Sequence, residues 1–234
     1  MTVASFTEHP DRETLATALA TDIDARLRTI VERGGFPSLA LSGGSTPKAM
    51  LGHLGARMGD IAEMVYLLPV DERITDDPAR SNANMIRAMM GLADHPASEF
   101  LDIAALGKTA TEAARHAEAK LRDDDELPIT VATLGMGTDG HTASFFPSGD
   151  TLAEAVDPAG ERLFLPIEAP GAGEPRVTLT LPVLMGADHL VLQIEGEEKR
   201  RVWEEACGEG DADDMPVRHV IRHPDIALHV HWTP

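Results

Sequence analysis

A chain of 234 residues, 43% hydrophobic, is long enough for one large α/β domain or two small ones and buries a substantial core, which excludes disorder as the default. Its 39 acidic against 20 basic residues give a formal net charge of −19, a surface that repels nucleic acid and anionic membranes. The single cysteine, Cys207, excludes a disulfide framework and a thiolate metal cluster; the polar stretch Met1 to Pro10 lacks an apolar signal core, and no apolar run is long enough to span a bilayer, so the chain reads as cytoplasmic.

Strand-like and helix-like segments alternate along the chain. Asp11 is placed to cap a helix in which Leu15, Leu19, Ile23, Leu27 and Ile30 recur at helical spacing, ended by Gly34-Gly35. Ser38 to Leu41 has a buried-strand pattern, and Pro47 suits the first position of a helix running to about Met58. Met64 to Val70 reads as a strand ending at Asp71-Glu72-Arg73, and Ser81 to Asn84 as the cap of a helix carrying Met85, Ile86 and Met89. Thr109 with Glu112 forms a capping box for a helix to about Arg122, followed by a solvated acidic turn and a strand from Ile129 to Leu134. Arg176 to Leu181 and Leu190 to Ile194 read as strands, Gly196 to Ala206 as a helix and Ile226 to Trp232 as a last strand, with loops at 147–160 and 170–175. The alternation predicts one Rossmann-like α/β domain over residues 1–234: a mostly parallel sheet with helices on both faces, whose ligands sit beyond the carboxyl ends of the strands.

Two glycine turns fall at such strand ends. In Gly135-Met-Gly-Thr-Asp-Gly-His-Thr-Ala-Ser144, small residues let backbone approach a ligand, while Asp139 and His141 are the groups able to orient or move a proton. Its glycines have G-x-G-x-x-G spacing, but Phe145-Phe146-Pro147 breaks any following helix and no acid-tipped strand comes at the distance a dinucleotide site needs. Ser42-Gly43-Gly44-Ser45-Thr46-Pro47 lacks both the lysine of an ATP-binding loop and the G-x-S-x-G nucleophile elbow. It either holds a phosphate at a strand–helix junction or is a tight turn whose Ser45 or Thr46 caps the helix. On so acidic a chain an anion site needs local cations. Lys199, set against the helix dipole three residues past Gly196, and Arg176, after a proline- and glycine-rich loop, are candidates. Asp71-Glu72-Arg73 alone reads as a sheet edge meeting solvent. His229 and His231 share one strand face without a third ligand at metal spacing and read as surface residues. Together the turns favour a hydrolase or isomerase acting on a small phosphorylated substrate.

These segments, in this order, resemble the 6-phosphogluconolactonases within the larger group that includes glucosamine-6-phosphate isomerases. The resemblance covers nearly the whole chain: Ser42 to Pro47 is similar to the family's phosphate loop, Asp71-Glu72-Arg73 with Ser81-Asn82 to its second motif, Gly135 to Pro147 to its central signature, and Arg176 to Thr180 and Gly196 to Lys199 to its last two. The isomerases carry a glutamate where this chain has Phe146, and usually an aromatic residue in place of Arg73; both differences favour the lactonase branch. One departure from the lactonase pattern is Ser148, where glycine is common.

The resemblance implies hydrolysis of 6-phospho-D-glucono-1,5-lactone to 6-phosphogluconate in the pentose phosphate pathway, with no cofactor or metal because a lactone is an activated ester. It implies His141 as general base, with Asp139 or Asp71 orienting its ring, and Arg73 at the sugar hydroxyls or the oxyanion. Ser42, Gly43, Gly44, Ser45, Thr46, Arg176 and Lys199 would bind the 6-phosphate. A non-catalytic sugar-phosphate sensor and an aminosugar isomerase are the rivals. The sequence leaves monomer and homodimer equally open.

Overall fold

A computed structural model describes residues 3–93 and 99–234. Among these residues the elements are β1 (Val3–Glu8), α1 (Arg12–Val31), β2 (Ser38–Leu41), α2 (Lys48–Met58), β3 (Tyr66–Pro69), β4 (Asp71–Arg73), α3 (Asn82–Met90), α4 (Ala110–Asp123), β5 (Val131–Leu134), α5 (Leu152–Ala155), β6 (Phe164–Ile167), β7 (Arg176–Leu179), α6 (Leu181–Met185), β8 (His189–Glu195), α7 (Gly196–Cys207), α8 (Val217–Arg222) and β9 (Leu228–Thr233). Six strands form one sheet in the order β1-β9-β8-β5-β2-β3, and every neighbouring pair is parallel. This is the α/β architecture that the alternation predicts. Among the described residues no helix is long and apolar enough to cross a membrane.

The alternation of side chains along each strand divides the core in two. Leu39 and Leu41 of β2 point with Leu67, Val131 and Val191 into a layer filled by Leu15, Leu19, Ile23 and Leu27 of α1 and Met50, Leu51 and Leu54 of α2. Ala40, Leu68, Ala132 and Leu192 face the other layer, against α4, α6, α8 and the second sheet. Each fully buried leucine contributes about 1.5–3 kcal/mol. The caps follow local chemistry: Asp11 accepts from Thr14 N at 2.7 Å, and Thr109 Oγ1 accepts from Glu112 N at 3.2 Å. Glu112 returns its bond to the N–H of Lys108, one residue before the cap.

Several segments differ from the sequence reading. Asp71–Arg73 is not the end of the preceding strand; β3 ends at Pro69, and after Val70 β4 joins β7 and β6 in a separate antiparallel sheet. The link from Ile167 to Arg176 is too short for a crossover helix, so β6 and β7 can only pair as a hairpin. β1 lies on the sheet edge, half exposed, and so lacks the apolar run by which a buried strand is recognised. α8 is only six residues long, too short to show a period. Pro47 is the cap of α2 and not its first helical residue. His229 and His231 are half-buried, not surface residues: Ser5 Oγ bonds to His229 at 2.9 Å, and His9 to His231 at 3.0 Å.

Candidate active site

The carboxyl ends of four adjacent strands, β8, β5, β2 and β3, lead into Gly196, Gly135, Ser42 and Val70 respectively. Chain order reverses between β2 and β5, because β3 follows on one side and the later strands on the other. At such a switch the outgoing loops splay apart and leave a crevice. A cavity of about 250 Å³ lies there. Ser42, Gly43, Gly44, Ser45, Thr46, Asp71, Arg73, His141, Arg176 and Lys199 line it together, although they come from segments more than 150 residues apart. Asp139, the remaining candidate, stands beside the imidazole.

The turn after β5 is closed by Gly137 N donating to His141 O at 2.8 Å and Thr142 Oγ1 donating to Gly135 O at 2.8 Å. A side chain at Gly137 would overlap both the His141 ring and the Asp139 carboxylate, which explains the glycine two residues before the acid. His141 Nδ1 lies 2.6 Å from Asp139 Oδ1, which also accepts from the His141 N–H at 3.1 Å. The other face of the turn is Phe146, whose ring stacks on the imidazole at 4.1 Å between centroids. Thus a carboxylate fixes one ring nitrogen and an apolar plate fixes the ring plane, while the side chain keeps 30% exposure toward the cavity. Burial raises the Asp139 pKa, but the hydrogen bond and charge of His141 outweigh it and hold the carboxyl below its ordinary value. Ser148 has φ 58°, the left-handed conformation that glycine adopts most easily.

Asp71 does not partner the imidazole. Buried at 6% exposure, it accepts from Ser144 Oγ at 2.6 Å, Asn82 Nδ2 at 3.1 Å and Arg176 Nη1 at 3.4 Å. It therefore ties the central turn, α3 and β7 together at the cavity floor. Glu72, fully buried, accepts from the backbone N–H groups of Arg73, Asn82 and Ala83 and so anchors the first turn of α3. Burial raises its pKa in spite of those donors. Arg176 also donates to Ala172 O at 2.8 Å and lies over the Phe146 ring at 5.3 Å. Burial lowers its pKa, which the Asp71 charge counters. Arg73 Nη1 donates to Arg80 O at 2.8 Å, whereas the buried Nε atoms of Arg73 and Arg176 have no hydrogen-bond partner.

At the first glycine turn, α2 has no side-chain cap, so Ser45 and Thr46 are not spent on capping. Ser42 N donates to Thr133 Oγ1 at 3.1 Å, and Gln193 Nε2 to Thr46 O at 3.2 Å. Asn82 fills the space where a side chain at Gly43 would go. Lys199 Nζ donates to Met136 O at 2.5 Å. Burial lowers its pKa, with Asp139 and Glu198 opposing. A half-buried cation beside a helix N-terminus without a side-chain cap is an arrangement suited to an anion. Asn82, Ser144 and Phe146 lay in recognised motifs without an assigned role, and nothing in the sequence pointed to Gln193, Arg80 or Glu174.

A crevice of this kind at the switch of a parallel sheet, holding a carboxylate-paired imidazole, defines a small-molecule site of α/β enzymes. The family model described as Glucosamine-6-phosphate isomerases/6-phosphogluconolactonase matches residues 10–232, and the chain belongs to that family. It is 41% identical over 221 residues to the 6-phosphogluconolactonase of Rhizobium meliloti (strain 1021), covering 94% of each chain. It is 39% identical to that of Mesorhizobium japonicum, covering 96% of this chain and 93% of the relative. The crystal structure of a 6-phosphogluconolactonase from Shewanella baltica OS155 superposes with a TM-score of 0.90 at 28% identity, covering 100% of this chain and 98% of the other.

Proposed function

We propose that this chain hydrolyses 6-phospho-D-glucono-1,5-lactone to 6-phospho-D-gluconate in the cytoplasm, with His141 as general base. The observation that carries the reading is one cavity with the Asp139-held imidazole among its walls and the uncapped glycine turn beside Lys199 forming another. With Nδ1–H donated to Asp139, the lone pair of Nε2 is free to take a proton from water. That water adds to C1, and the carbonyl oxygen becomes an oxyanion stabilised by the positive charge of Arg73 and Arg176, which line the cavity. The C1–O5 bond then breaks, O5 leaves with the proton from His141, and the new carboxylic acid ionises. The Gly43–Thr46 turn, Lys199 and one edge of Arg176 hold the 6-phosphate throughout.

Phe146 argues against the isomerase: aldose–ketose interconversion needs a further group that exchanges protons, and the residue stacked on the base is a phenyl ring. The test is acid release from freshly prepared lactone, titrated with and without protein. The expected result is release far above the spontaneous rate and no fructose 6-phosphate from glucosamine 6-phosphate. Binding of 6-phosphogluconate without accelerated release would make the protein a sensor and sink the proposal.

A further inference from the structure

Glu174 occupies an unusual position for a carboxylate. It lies in the 168–175 link between β6 and β7, its side chain only 9% exposed, and three guanidinium groups surround it. Arg80 Nη2 is in direct ionic contact, Arg73 Nε is 3.6 Å from Oε1 and Arg176 Nη2 is 4.0 Å from Oε1. Glu174 is thus held by charge among three guanidinium groups, two of them beyond hydrogen-bond distance. A buried carboxylate acts through its charge, which is felt strongly where water is excluded. It lets three arginines sit side by side, of which Arg73 and Arg176 line the cavity.

Hydrolysis changes the charge at this place. The lactone presents a neutral carbonyl at C1, whereas the product presents a carboxylate, for which paired arginines are the natural trap. An enzyme that bound its product bidentately there would turn over slowly. We propose that Glu174 is a positioning residue that acts through Arg73 and Arg176, its negative charge disfavouring the newly formed C1 carboxylate and so favouring product release over product retention. This rests on the lactonase reading above. The step is electrostatic and involves no bond made or broken by Glu174.

The experiment compares the dissociation constants of two ligands, measured by calorimetry on the intact chain: 6-phosphogluconate, and glucitol 6-phosphate, which has the same phosphate and a neutral C1 alcohol. The phosphate contribution is common to both, so the ratio of the constants isolates the carboxylate. In Glu174→Gln the ratio is expected to move on the order of tenfold in favour of 6-phosphogluconate, as removal of a like charge several ångströms away predicts. Glu174→Asp, which keeps the charge, should leave the ratio within about twofold of the parent. Glu174→Ala, which also removes the charge, should move the ratio the same way and covers the case in which Glu174→Gln does not fold. A ratio unchanged in both Glu174→Gln and Glu174→Ala, or shifted equally by Glu174→Asp, would overturn the proposal. A protein that failed to hydrolyse lactone but showed these ratios would refute the activity, and with it the role in product release, while leaving the effect of the Glu174 charge on carboxylate binding.

Discussion

Two groups of histidines in this molecule have opposite environments. His141 sits at the mouth of a cavity with a carboxylate at 2.6 Å and a phenyl ring beneath it. On the flank of the sheet formed by β1, β9 and β8, the His189 and His229 rings lie 4.5 Å apart, and His9 and His231 stack at 5.2 Å. There Asp22 is 3.2 Å from His189 Nε2 and also paired with Arg26 at 2.9 Å. The difference teaches that an imidazole is made useful by its partner and its access rather than by its neighbours' number. In the proposed mechanism a single short bond that fixes one nitrogen and frees the other prepares a base; in the seam, burial lowers the pKa of all four rings.

The largest expected effect breaks the comparison at its catalytic side. His141→Ala should lower kcat by ~10²–10⁴, about 3–5 kcal/mol of transition-state stabilisation, with KM little changed. Near-full turnover after subtraction of spontaneous ring opening would remove His141 from the mechanism. Asp139→Asn keeps the size of the partner but frees the tautomer and orientation of the ring, for a loss of about ten- to a hundredfold in kcat. If that variant matched the parent, Phe146 alone would suffice to place the base. Lys199→Ala is expected to raise KM by about ten- to a hundredfold through loss of a charge-assisted hydrogen bond, with kcat nearly constant. Arg176→Ala is a poorer probe of binding than the sequence suggested. It strips the cation from buried Asp71, and breaking such a pair costs about 3–5 kcal/mol of stability.

Most of the sheet was legible because its strands are buried on both faces and its helices carry caps whose chemistry is local. Ser38 to Leu41 was read to the residue, and Asp11 and Thr109 cap the helices assigned to them. The half-exposed strand β1 and the six-residue helix α8 gave no periodic signal to read. At the site, glycine spacing and strand-end position picked out both turns, the need for local cations on an acidic chain picked out Arg176 and Lys199, and the resemblance brought in Arg73 and Asp71. What stayed hidden depends on distance through space. That Asp71 meets Ser144, Asn82 and Arg176 instead of the imidazole, and that Glu174 draws in Arg73 and Arg80 from a distant segment, follows from how the loops fold back and not from any local pattern.

The smallest expected effect tests the other half of the comparison. Burial, with Arg26 and His229 adding, lowers the pKa of His189 to about 4, and burial with the charge of His9 does the same for His231; Asp22 opposes both. In the unfolded chain each ring takes a proton near its ordinary 6.5, but the folded seam refuses it until about pH 4. Between those values the unfolded state binds more protons, so stability is intact above pH 6.5 and is lost as pH falls toward 4. After allowance for solvent screening, each ring contributes about 1–2 kcal/mol to that loss. Carboxylates elsewhere add their own acid lability, so the informative quantity is a difference between variants. Urea unfolding of the parent and of His189→Phe should show parallel stabilities at pH 7 and above, and a shallower decline for the variant between pH 6.5 and 4.5. Identical declines would mean that the seam already admits protons in the folded state, and that packing ring on ring does not by itself keep an imidazole neutral.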